Sequence, residues 1–192
     1  MDIASENYVL DSYTKNPKYS FIENKILISQ EVLPNARYIV LDIRENEIKT
    51  ENNKLIFADK NSFENKYMKI DILENGSLKI FNKENENFYT ALIFEEKGDD
   101  GDEYDYSPPK NDIIFTTEKS TAEIRKLYEN NFECAFEIIH NMTVPKCLSE
   151  DREIRSSEMV DLSTKAIIKL KADSRKLDVK VSVNNKANDH II

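Results

Sequence analysis

At 192 residues with a net charge of −9, the chain is long enough to bury a real core, and its acidic balance argues against a nucleic-acid backbone or an anionic membrane as partner. Its 40% hydrophobic residues fall in segments regular enough to exclude wholesale disorder, even beside a charged fraction of 33%. No apolar run approaches the ~20 residues of a membrane span, and Asp2 stands where a secretory leader would be basic, so a cytoplasmic setting is expected.

Residues 1–20, rich in Asn, Ser, Tyr and Lys without a clear period, are expected to be poorly ordered. Lys25–Ser29, Ala36–Ile43 and Lys54–Phe57 read as strands of a small β module assigned to 21–60, with a boundary at 58–63 and a larger β unit over 61–192. Met68, Ile70 and Ile72 alternate with Lys69 and Asp71, and Leu78 and Ile80 resume the pattern after Asn75-Gly76. Asn-Gly supplies the positive φ angles of a type I′ turn, so a two-residue hairpin is predicted between Lys66–Leu73 and Ser77–Phe81, with all five apolar residues on the core face.

Gly98 to Pro109 is the most distinctive stretch. It gathers two of the three glycines, the aspartates Asp99, Asp100, Asp102 and Asp105, the tyrosines Tyr104 and Tyr106, and a Pro-Pro pair. Glycine permits tight loops, and paired prolines forbid a central strand. In an extended segment both tyrosine rings would face one way and Asp105 the other. Tyrosine joins a ring face to a hydroxyl, which suits contact with a sugar; a solvated acidic hairpin loop is the plainer reading. Clustered carboxylates also raise calcium, but the EF-hand pattern fails because Lys110, not Glu, is twelfth from Asp99. With glycines and like charges throughout, the loop is expected to be loosely held.

Further along, Ala122 to Tyr128 fits either a strand or, by its Ile124, Leu127 and Tyr128 spacing, a short amphipathic helix; its position between strands favours a strand. Three alternating sets follow: Phe132 to His140, Leu162 to Leu170, and Leu177 to Val183, the last two joined by a turn at Ala172–Lys176. Cys134 and Cys147 lie in no CxxC or Cys/His cluster and read as free thiols. His140 and His190 are expected to be structural, His140 ending a core strand and His190 bonded to Asp189 or a backbone carbonyl. The fold class is therefore all-β.

The Gly98–Pro109 stretch resembles the Gly-Asp-x-Tyr-Asp-Tyr-Ser-Pro signature of glycoside hydrolase family 38, the retaining α-mannosidases. Glu64-Asn65, then Asn75-Gly76-Ser77-Leu78, then Asn82-Lys83 resemble that family's upstream run, with Asn82 in place of Asp. Leu33-Pro34-Asn35-Ala36-Arg37-Tyr38 resembles the turn that closes its first β module, with Ala36 in place of Gly. Downstream, Pro145 to Arg155 and Asn184 to His190 resemble two further motifs, Ile191 replacing a usual Arg. The resemblance runs over about residues 20–192.

The resemblance implies a large antiparallel β-sandwich of galactose-mutarotase-like type, preceded by a small β module and continuing beyond Ile192. That region follows the catalytic domain and packs on it, lining the sugar pocket. The family's nucleophilic Asp and its divalent metal, usually zinc on two His and two Asp, belong to the catalytic domain, and neither histidine here lies in a His-x-Asp motif. No catalytic residue, cofactor or metal ligand is therefore assigned in this chain, which is expected to be inactive alone. Tyr104 is the residue expected to meet an α-mannoside, with Tyr106, Asp102 and Asp105 as further candidates. A stand-alone carbohydrate-binding module, or a purely structural β domain, would fit the same strands.

Overall fold

The computed structural model describes strand backbone at 8–12, 18–22, 25–29 and 41–45, and residues 57–192 apart from 103 and 131. It is all-β: among the described residues there is no helix, and so none long and apolar enough to cross a membrane. β1 (Tyr8–Ser12) pairs antiparallel with β4 (Leu41–Glu45), and β2 (Lys18–Ile22) with β3 (Lys25–Ser29). Strand backbone thus reaches into residues 1–20, where Tyr8, Val9 and Tyr19 are of the aromatic and β-branched types that strands favour. The Leu33–Tyr38 turn and most of the strands expected at Ala36–Ile43 and Lys54–Phe57 lie outside the described residues.

β5 (Phe57–Asp59), β6 (Ser62–Glu64), β7 (Met68–Ile72), β8 (Leu78–Asn82) and β9 (Phe88–Ala91) form a five-stranded antiparallel meander. β5 and β6 are joined by a tight hairpin: Asp59 pairs with Ser62, and Lys60 carries the positive φ of 45° that the turn requires. A second sheet runs β12 (Glu123–Glu129), β13 (Glu133–Pro145), β14 (Met159–Lys171) and β15 (Leu177–Asn184) in that order. The 122–128 stretch is accordingly a strand, with a register shift at Leu127.

The two sheets face each other. Phe63, Ile70, Ile72 and Leu78 of one meet Cys134, Phe136, Ile138, Ala166, Ile168 and Leu170 of the other. Phe63 and Phe136 stack at 4.9 Å between ring centroids, a contact that adds about 0.5–1.5 kcal/mol beyond the area buried. Ile80, expected in the core, is only partly buried at its margin. Asn65 fastens the sheets at one end: its Nδ2 donates to the Lys171 and Ser174 carbonyls, 2.8 Å each, while its Oδ1 accepts from Tyr67 and Met68 backbone N–H groups. Both cysteines are free; burial pushes the Cys134 thiol up to about 12.

Three expectations are corrected. The Asn75-Gly76 turn is a three-residue loop, because Leu73 rather than Glu74 faces Ser77 (N–H to carbonyl, 2.8 Å) and Gly76 N–H returns to the Leu73 carbonyl. Only Gly76 has a positive φ, 78°, the geometry of a type I turn closed by a bulge. His140 lies within β13 rather than at its end. Its ring is buried, with Nε2 donating to the Asn75 carbonyl at 2.9 Å and Nδ1 facing the Thr164 hydroxyl at 3.4 Å. Burial pushes the imidazole below its ordinary pKa. Third, β13 is covered on both faces at its start, since Glu133 and Glu137 are buried behind Tyr128, Arg125 and Lys165.

β15 differs from the rest. Its register sets Val179, Val181 and Val183 beside Ile168, Ala166 and Thr164, on the face that carries the core. They nevertheless remain 46%, 41% and 44% exposed, and among the described residues β15 is the last strand of its sheet.

Candidate functional site

The long β13–β14 hairpin extends past the main core, and its far half packs on a smaller sheet. There β10 (Glu95–Gly98) lies between β11 (Phe115–Thr116) and β16 (His190–Ile191). Met142, Val144, Leu162 and Ala187 form the apolar floor, with Phe94 and Phe115 against it. The acidic stretch leaves directly from the end of β10, so this second core positions it.

Beneath the loop lies a buried ionic cluster. Arg155 NH2 donates to Glu96 Oε1 at 2.5 Å and NH1 to Asp112 Oδ1 at 3.5 Å, with the Glu96 side chain fully buried. His190 Nδ1 lies 3.0 Å from the same Glu96 oxygen and Nε2 3.0 Å from Asn185 Oδ1. His190 therefore pins its strand as expected of a structural residue, through Glu96 and Asn185 rather than through Asp189 or a backbone carbonyl. Asp112 also accepts from Gly98 N–H at 3.0 Å, which ties the loop's start to its return. Removing one partner from so buried a pair strands the other, at about 3–5 kcal/mol.

The loop itself is wrapped around its carboxylates. Asp99 Oδ1 accepts from Gly101 N–H at 2.8 Å and Ser107 N–H at 3.0 Å. Asp102 Oδ1 accepts from Tyr104 N–H at 2.9 Å and Asp105 N–H at 3.1 Å. Asp100 N–H closes the neck on the Ser107 carbonyl at 2.6 Å. These backbone donors, Ser107 before Gly101 and Tyr104 before Asp105, hold Asp99 and Asp102 below the usual carboxylate range. Gly101 admits no side chain, because a Cβ there would meet the Asp105 carbonyl oxygen at 1.9 Å. The segment is thus a closed turn, not an extended run, and has more to hold it than its charge suggests.

That geometry separates the candidate residues. Tyr104 is 87% exposed and Tyr106 44%, the Tyr106 ring lying under the Lys97 ammonium at 4.8 Å. Asp102 shapes the turn that presents Tyr104, while Asp105 is exposed beside it. Among the described residues no three His, Cys, Asp or Glu side chains come together as a metal site requires. Sequence reasoning missed Glu96, Asp112, Arg152 and Lys97, charged residues that stand in no motif; only Arg155 carried a signal, through its spacing from Pro145.

No family model matches the chain. Over 162 residues it is 34% identical to a protein of Halalkalibacterium halodurans provisionally named a mannosylglycerate hydrolase, the match covering 75% of this chain and 18% of that protein. A solved structure of a glycosyl hydrolase family 38 protein from Enterococcus faecalis superposes with a TM-score of 0.76 at 21% identity, over 98% of this chain and 27% of that one. An α-mannosidase structure from Enterococcus faecalis V583 gives 0.75 at 23% identity, over 98% and 24%. The chain therefore spans about a quarter or less of the length of these relatives.

Proposed function

We propose, on the premise that the chain belongs to glycoside hydrolase family 38, that it is the non-catalytic β-sandwich of an α-mannoside-hydrolysing enzyme and presents Tyr104 to the sugar. The observation that carries this reading is the contrast within the motifs. Asn65, Asn75, Arg155 and His190 are all engaged in fastening the fold, whereas Tyr104 sits almost wholly exposed on a loop whose backbone is tied down.

In this reading the sandwich is of the galactose mutarotase type and packs on a catalytic domain outside this chain. That domain would supply the nucleophile of a retaining double displacement and the divalent metal, and this chain's part would be to bind and orient substrate. Two free thiols accord with a reducing, cytoplasmic setting.

The test is kinetic. Tyr104→Phe in the full-length enzyme keeps the ring and removes only the hydroxyl. Its kcat on an aryl α-mannoside is expected to fall, roughly tenfold for each 1.4 kcal/mol of transition-state bonding lost. Tyr106→Phe, whose ring already faces Lys97, is expected to matter less. The isolated chain with added zinc is expected to give no turnover above blank. Wild-type kinetics for both variants would return the segment to a mere surface loop.

A further inference from the structure

We infer that Arg152 is the positioning residue for Tyr104, a latch that grips the acidic loop from outside. Arg152 lies in the connection between β13 and β14 and donates through Nε to Asp100 Oδ1 and through NH1 to Asp189 Oδ1, the latter at 3.3 Å. Asp189, just before β16, accepts the Asp99 N–H on its own carbonyl at 2.9 Å and the Leu148 N–H on Oδ2 at 3.4 Å. The first two residues of the loop are therefore held by two residues that are far from it in sequence and adjacent to each other in space.

Both holders are strained. Arg152 has a φ of 60° and Asp189 of 51°, and they are two of five non-glycine residues with positive φ among those described. Such backbone costs of order 1–3 kcal/mol where the side chain is not glycine or asparagine, and it persists where surroundings over-determine it. At Arg152 the surroundings are a tight turn, in which its N–H donates to the Ser149 carbonyl at 2.9 Å. The turn points the guanidinium fork at two carboxylates at once, which a single-headed lysine would not span.

The alternative, that Arg152 merely completes a turn, makes the opposite prediction for glycine. Arg152→Gly relieves the left-handed backbone, so a turn residue would become more stable and nothing else would change. A latch would keep or raise the melting temperature yet free the loop. Hydrogen exchange on the 192-residue chain reads this directly. Amides of Asp99, Asp100, Gly101 and Ser107 are expected to exchange roughly five- to tenfold faster in Arg152→Gly, the range that two partly exposed ion pairs support, with core amides such as Ile70 and Ile138 unchanged. Arg152→Lys is expected at an intermediate rate. Wild-type loop exchange in Arg152→Gly overturns the latch, and wild-type exchange in Arg152→Lys overturns the two-carboxylate fork. The inference rests on the sugar-facing reading of Tyr104, but no sugar enters the measurement. A failed latch and a failed sugar contact therefore appear in different experiments.

Discussion

Gly76 shows how one residue can be fixed by groups remote in sequence. Its φ of 78° suits glycine, and a Cβ there would lie 2.4 Å from His140 Nε2 and 2.7 Å from Ala122 Cβ. Gly76→Val therefore combines backbone strain with overpacking and is expected to destabilise the chain by about 2–4 kcal/mol. Thermal melting checks it, and an unchanged transition would mean that the turn is not built as described. The sequence signalled a hairpin at this place but not its kind. Asn-Gly suits a type I′ turn and equally the end of a three-residue loop. What decides is the wiring of Asn75, whose carbonyl accepts from His140, whose Nδ2 donates to the Glu118 carbonyl at 2.7 Å, and whose Oδ1 accepts from the Ser77 hydroxyl at 2.7 Å. His140 and Glu118 are brought there only by the completed fold.

Among the elements, the period-two strands were legible and their surroundings were not. Leu162, Thr164, Ala166, Ile168 and Leu170 are buried on one face of β14 as their alternation predicts. The same rule fails on β13, where Glu133 and Glu137 are sheltered by long side chains of neighbouring strands, a pairing that period alone cannot reveal. The acidic loop was legible as a loop and as a tyrosine-bearing site. The bonds that close it were not, because a carboxylate that accepts from nearby N–H groups looks in sequence like one facing water. The hold of those bonds depends on pH with a definite sign. Asp99 and Asp102 sit below their ordinary 3.8 in the fold, so their contribution is full above that value and is lost as pH falls through the lowered pKa. Amide resonances of Gly101, Tyr104, Asp105 and Ser107 are expected to hold steady from neutral pH down to about 5 and to shift together only below 3.8. Inflections at or above 3.8 would show that those carboxylates do not hold the loop.

For the molecule as a whole, β15 has a practical consequence. An edge strand carrying three half-exposed valines is a template for a second chain. Its other face alternates Asp178, Lys180 and Ser182, so antiparallel copies centred on Val179 would bring Asp178 opposite Lys180. The isolated chain is expected to self-associate with rising concentration in sedimentation velocity, and Val181→Lys to return it to a monomer at an unchanged melting temperature. Association undiminished by that lysine would place the contact elsewhere. Anyone titrating sugar into this chain would then be following two equilibria at once. Dilution, more than ligand, would govern the heat released, and a weak saccharide isotherm recorded at high protein concentration would report on the valines before it reported on Tyr104.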